Sequence, residues 1–474
     1  MSTAIVLFRR DLRLADNPAL TAACNAHDRV VLLYIHDLHG DGGWQPGAAS
    51  RWWLNHALAA LQLSLHQRQA NLQLRQGDSL QILRDTVRET DASAVYWNRL
   101  YEPAAIARDT VIKAALREQG VAVHSSNAAL WCEPWQIATG QGAPYRVFTP
   151  YWRKLRAQLD AAAPLPVPSA LRGAWAGPDL PLQDLDLLPR IGWDQGLRQG
   201  WTPGELGAQE MLEIFADDAL GDYLHARDMP ARHGTSRLSP HLHFGEISPR
   251  QIHYQLLARA QAQAVDARRR PDIEPCLREL GWREFAHHLL YHFPQTPTEN
   301  FNPRFDGFRW AEVDEIRLDA WRHGRTGIPL VDAGMRELWH TGWMHNRVRM
   351  VVASFLTKNL RQHWRHGAYW FWDTLVDADL ANNTLGWQWV AGCGADAAPY
   401  FRVFNPLTQA KRFDPQGDYL RRWLPELAHA PSPLLHEPWK DSGLMRRSGY
   451  PVALVDLAES RRQALCAYQQ LRDG

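Results

Sequence analysis

Cysteine is scarce and dispersed: Cys24, Cys132, Cys276, Cys393 and Cys466 are spread over 474 residues without a close-spaced pair. That spacing argues against a disulfide framework and against a thiolate zinc site, and it fits a reducing, cytoplasmic setting. Long apolar runs are missing too. None approaches the roughly 20 residues that span a bilayer, and an apolar strand begins after three residues with no basic leader, so a soluble intracellular protein is expected. Charge of one sign is also lacking, because 52 Lys and Arg nearly balance 51 Asp and Glu to a net +1. Attraction to a polyanion must then depend on local clusters. There is no glycine-rich phosphate fingerprint after the first strand, no convincing serine or cysteine nucleophile triad, no internal repeat and no low-complexity tract.

Tryptophan, by contrast, is abundant at 22 residues, most of which ordinary burial would use as large contact surfaces. A local cationic excess runs from Arg336 to Arg365, where Arg336, Arg347, Arg349, Lys358, Arg361 and Arg365 face a single acid, Glu337. A basic surface there would neutralise phosphates and make nucleic-acid binding weaken as salt rises.

The length exceeds what one hydrophobic core usually holds, so two domains and a linker are expected. Residues 4–8, 30–35 and 94–97 are short apolar runs separated by helix-like segments at 52–67 and 79–90, the alternation of a parallel α/β sheet. Residues 164–203 are rich in Pro, Gly and Leu without sustained period and read as a connector. Beyond Thr202-Pro203-Gly204-Glu205, apolar residues recur at three- and four-residue spacing, so the remainder is expected to be helical. The division is then an α/β domain at 1–130, a connector at 131–202 and a helical domain at 203–474.

The segment from Phe8 to Pro18 follows the first strand, where open α/β sheets place ligand loops, but its residues suit a salt-bridged loop better than a ligand site. Gly234 to Gly245 gathers Thr235, Ser236, Ser239 and Arg237 between glycines, which suits a pyrophosphate or a plain helix cap about equally. Glu279, Trp282 and Arg283 fall within one helical turn and can share a face. No histidine or further carboxylate lies close enough to Asp377 and Asp379 to complete a plausible metal shell, so hydrogen bonding to a flavin ring or pairing with arginine is expected and no metal site. His363, His366, His287 and His288 are expected to be hydrogen-bonded or exposed.

In order along the chain, Phe8 to Asn17, Thr235 to Ser239, Trp282-Arg283-Glu284-Phe285, Gly342 to Arg347, Asp377 to Trp389 and Tyr400 to Pro406 closely resemble the photolyase/cryptochrome flavoproteins. The resemblance implies an N-terminal antenna domain of Rossmann-like α/β type and an all-helical domain that binds FAD and DNA. By resemblance, Tyr223 and Thr235, Ser236, Arg237, Leu238 and Ser239 cradle the FAD phosphates with Arg283 nearby. Arg349 and Asp377 pair beside the flavin ring, Asp379 helps hold it, and Asn383 faces its N5, where plant cryptochromes usually carry aspartate and repair enzymes asparagine. Glu279, Trp282, Asn346, Met350 and Trp389 match the contacts of a cyclobutane pyrimidine dimer, and Asn346 also belongs to the cofactor set. Trp387, Trp364 and Trp310 match the electron relay.

What the resemblance implies is a light-driven lyase acting on UV-damaged DNA, with a cryptochrome-type photoreceptor or a (6-4) photolyase as alternatives. (6-4) enzymes usually place a histidine where Asn346 stands. The Trp44 to Trp53 region and Tyr101-Glu102 are the candidate antenna residues, with methenyltetrahydrofolate favoured and a deazaflavin or an empty site as the alternatives. A monomer is expected.

Overall fold

The computed structural model describes residues 1–159, 162–173, 177, 179–262, 272–397 and 401–473. Tyr400 of the 400–406 motif lies outside the described residues. Two compact units form: Met1–Asp194 with Trp201–Gly221 and Ser236–Pro294, and Gln195–Gly200 with Asp222–Thr235 and Gln295–Gly474. The change to helical structure after residue 203 therefore does not coincide with the packing division. Helices Glu205–Ile214, Pro249–Ala262 and Glu274–His292 belong with the first unit.

In the first unit, strands β1 (Thr3–Phe8), β2 (Arg29–His36), β3 (Leu72–Gln76), β4 (Ala94–Asn98) and β5 (Ala122–Ser126) make a parallel sheet of order β3-β2-β1-β4-β5. All of β1 and β4, and β2 after its first residue, are buried, as continuous apolar strands in a doubly wound sheet must be. The strand order reverses between β1 and β4, and the loop after β1 is folded inward there. Its Arg13 is wholly buried and donates to the carbonyls of Ala15, Asp16, Ala128 and Gly245. Ser248 donates to Asp16 and Leu12 to the Phe244 carbonyl. Gly245, at φ +67°, is the residue this contact requires: a Cβ there would lie 2.2 Å from the Arg10 carbonyl oxygen.

The second unit is built on helices Pro329–Thr341, Asn346–Ser354, Trp364–Thr374 and Leu380–Ala391, with Trp321, Trp364, Trp387 and Tyr419 in its core. Gly367 lets two of these helices close on each other, since a Cβ there would sit 1.9 Å from the Trp387 ring. Among the described residues, no helix is long and apolar enough to cross a membrane.

Candidate functional site

In the second unit, the Asn346–Ser354 helix starts at His345, whose Nδ1 accepts from the Arg347 N–H at 3.2 Å. Burial, reinforced by Arg347 and Arg349, pushes this imidazole down to about 4, which keeps it neutral and able to act as an acceptor. One turn along, Arg349 donates through Nε to the Met344 carbonyl at 2.7 Å and through Nη2 to both oxygens of Asp377, at 2.8 and 3.1 Å. The helix thereby presents a guanidinium whose plane is fixed by a nearly buried carboxylate.

Asp379 caps the Leu380–Ala391 helix, accepting from the backbone N–H and the side-chain amide of Asn382. Asn383 then donates its amide to the Ala368 carbonyl at 3.0 Å, so its rotamer is fixed. Arg349 with Asp377 thus forms one hydrogen-bonded pair, and Asp379 with Asn382 and Asn383 a second group two residues further along the chain. Asn346 is exposed at the helix start with Met350 one turn below it, Tyr223 is buried beneath the Arg227 guanidinium, and Thr235 is partly covered.

The three tryptophans expected to form a relay, Trp387, Trp364 and Trp310, also fall in this unit. Trp387 is 2 % exposed and touches Phe371 and Trp321, with ring centroids 4.9 and 6.2 Å away. Trp364 is equally buried and donates from Nε1 to Asn300 at 3.0 Å. His363 lies between Trp364 and the more accessible Trp310, 5.6 Å from one ring and 4.9 Å from the other. It caps the Trp364–Thr374 helix through Nδ1, and burial with Arg365 and His366 nearby holds it down to about 4. Trp389 donates to the Asp396 carbonyl and has the Arg402 guanidinium 5.6 Å from its ring.

In the first unit, Glu279, Trp282 and Arg283 occur together on the Glu274–His292 helix. Trp282 lies flat on Phe148, with ring centroids 3.7 Å apart and planes 10° from parallel. Arg283 donates to the Ala129 carbonyl at 2.7 Å. The next residue, Glu284, is wholly buried and accepts from the Trp131 and Cys132 N–H groups, which locks the helix to the 129–132 segment. Burial pushes the Glu284 carboxyl up to about 7 against the opposing pull of Arg283. Of the phosphate-cradle candidates, Ser236 accepts from Leu238 N–H, and Arg237 takes a left-handed φ of +52° with its guanidinium 4.1 Å from the Trp201 ring centre. Ser239 opens the short helix to His243.

The raised Glu284 value has a testable sign. A carboxyl that holds its proton more tightly folded than unfolded contributes stability below its ordinary 4.5, and that contribution disappears as pH rises through about 7. Thermal melts of the protein should therefore show a loss between these values that Glu284→Gln lacks. The same pH slope in the variant would contradict this origin.

Two family descriptions match the chain: "DNA photolyase" over residues 4–169 and "FAD binding domain of DNA photolyase" over residues 276–470. The deoxyribodipyrimidine photo-lyase of Agrobacterium fabrum is 44 % identical across 99 % of this chain and 98 % of its own length. The chain belongs to the photolyase/cryptochrome family. Cryptochrome-1 of Arabidopsis thaliana, another member, is 38 % identical over 99 % of this chain and 70 % of its own length. Among solved structures, a bacterial class III photolyase from Agrobacterium tumefaciens superposes with a TM-score of 0.94, covering 100 % of this chain and 98 % of that one at 44 % identity.

Against this photolyase-family fold, one expectation from sequence is corrected. The 336–365 segment is not a uniformly basic surface. Lys358 is 1 % exposed, donates to the Ala391 carbonyl and sits on the Phe401 ring, and burial drives its ammonium well below its ordinary value. Arg336, Arg347 and Arg349 are paired with Glu426, Asp228 and Asp377. Arg361 and Arg365 keep partly exposed side chains.

A second finding is a residue that the sequence reading missed. Phe148, inside the expected connector, opens the Phe148–Arg156 helix and packs against Trp282. The signal was present in Phe148, Tyr151, Trp152 and Leu155, an i, i+3, i+4, i+7 stripe that is entirely buried.

Proposed function

We propose that this protein repairs cyclobutane pyrimidine dimers in UV-damaged DNA by light. The observation that carries the proposal is the Arg349–Asp377 pair two residues ahead of the Asp379 cap of a helix that holds Asn383 fixed: a guanidinium donor, two carboxylate acceptors and a carboxamide, which together suit the mixed acceptor and donor edge of a flavin ring. FAD, when bound and reduced, supplies the light-excited electron that splits the cyclobutane ring and is returned afterwards. The chain's own groups bind and orient.

Asn383 offers a neutral carboxamide at the ring-facing position, which favours repair over a photoreceptor role. Tyr223, Thr235 to Ser239 and Arg283 take the phosphates. Trp282 and Trp389 give stacking surfaces for extruded bases, while Glu279, Asn346 and Met350 meet their edges and ring. Asn346, in place of a histidine, favours the cyclobutane dimer over the (6-4) product. Segment 1–130 serves as the antenna domain, 131–202 as connector and 203–474 as the FAD- and DNA-binding region. Methenyltetrahydrofolate is the favoured antenna over a deazaflavin, in a monomeric, cytoplasmic enzyme.

A photoreceptor remains the second reading because a plant cryptochrome is similar over nearly the whole chain. The test is repair of dimer-containing DNA under blue light by the FAD-bound protein and by Glu279→Ala. The variant should bind the dimer more weakly by about 1–3 kcal/mol, the cost of losing a buried hydrogen bond, and repair it less. No repair by the FAD-loaded wild type would favour the photoreceptor, and an unaffected variant would remove Glu279 from the site.

A further inference from the structure

Arg278 stands one turn before Trp282 on the Glu274–His292 helix, about 6 Å along its axis, so both side chains leave the same face. Both lean on one phenyl ring. Phe148 is fully buried; the Trp282 indole lies flat against it at 3.7 Å, and the Arg278 guanidinium carbon is 5.3 Å from its centre. Phe148 is itself held by Trp152, stacked at 6.3 Å, and by Phe285, edge-on at 5.8 Å. Arg278 is exposed and has no ion-pair partner among the described residues, whereas Arg283 is occupied by the Ala129 carbonyl. The helix therefore carries an immobilised indole with an available guanidinium one turn away, both located by a ring that is not free to move.

We propose that Arg278 binds a backbone phosphate of the damaged strand next to the lesion, and that Phe148 is a positioning residue that keeps this cation in register with the Trp282 stacking surface. The proposal rests on the reading that Trp282 walls the dimer. A flipped dinucleotide presents a π-face and a phosphate joined by a short sugar linkage. A guanidinium is suited to the phosphate because its planar fork can make two hydrogen bonds, and stacking on a phenyl ring costs it none of them. Neutralising one phosphate adds one unit of counterion release, so the contact is read in the salt dependence of binding.

The experiment uses the FAD-loaded protein and measures binding to a duplex with one cyclobutane dimer and to the same undamaged duplex, from low to moderate salt. Arg278→Gln should bind dimer DNA about tenfold more weakly, with the log–log salt slope shallower by about 0.9, while binding to undamaged DNA is unchanged. Arg278→Lys should restore the slope. Phe148→Leu, its folding checked by melting and flavin absorption, should weaken dimer binding but keep the slope, because the charge remains.

An unchanged slope for Arg278→Gln on dimer DNA overturns the proposal. So does an equal loss on undamaged DNA, which would make Arg278 a general phosphate contact. Trp282→Ala tests the underlying reading separately. If that variant retains the preference for dimer DNA, the stacking assignment fails; if it loses the preference while Arg278→Gln keeps its slope, only the phosphate contact fails.

Discussion

Trp387→Phe is expected to retain FAD yet lose light-driven reduction of the oxidised cofactor, the largest single effect on photochemistry that the second unit offers. The indole is buried against Gly367, Phe371 and Trp321, four residues beyond Asn383 on the same helix, so it lies one turn from the residue proposed to face the flavin ring. Phenylalanine keeps most of that packing but is far harder to oxidise, so it cannot pass an electron inward. Repair by chemically reduced protein should persist, because the electron delivered to the dimer does not travel through Trp387. Loss of FAD together with both light reactions would identify a core residue. Normal photoreduction at full FAD occupancy would remove Trp387 from the relay.

Asp377→Ala should have the largest effect on cofactor retention. Its carboxylate is 4 % exposed at the side chain and takes two contacts from Arg349, whose guanidinium is 24 % exposed. Removing one member of such a pair leaves a partly desolvated charge, at a cost of roughly 3 kcal/mol, toward the lower end for buried pairs because water reaches the arginine. The freed guanidinium can also swing away from the Met344 carbonyl and cease to present a fixed edge. The variant should leave gel filtration without its flavin colour and unfold at lower urea, with Asp377→Asn intermediate because it keeps an acceptor without the charge. A yellow, equally stable Asp377→Ala protein would contradict the role given to the pair.

The central strands were readable from sequence because β1, β2 and β4 are buried on both faces and so form continuous apolar runs. Strands β3 and β5 were not, since they lie at the two edges of the sheet and mix in polar residues, as in Leu72-Gln73-Leu74-Arg75-Gln76 and Ala122-Val123-His124-Ser125-Ser126. The Arg349–Asp377 pairing was anticipated from family resemblance, and the geometry agrees with it. Lys358 shows the limit of counting charge along a sequence. It lies in a π-helical turn at Phe355–Asn359 whose five residues are all buried, and nothing in the spacing of its neighbours reveals that the whole turn is enclosed. Phe148 was hidden for a different reason: its stripe spans only one short helix just ahead of the segment at 164–203 that is rich in Pro, Gly and Leu without sustained period.

The two histidines that open the helices carrying Arg349 and Trp364 have a shared consequence for acid. Each is an acceptor only while uncharged, and each is held from 6.5 down to about 4. The unfolded chain binds these protons first, so both helix starts lose stability together as pH falls from 6.5 through 4. Once protonated, each imidazolium would turn a donor toward N–H groups and repel the positive end of its own helix. Mild acid is therefore expected to loosen the start of the helix that carries Arg349 and the start of the helix that carries Trp364 over the same pH range.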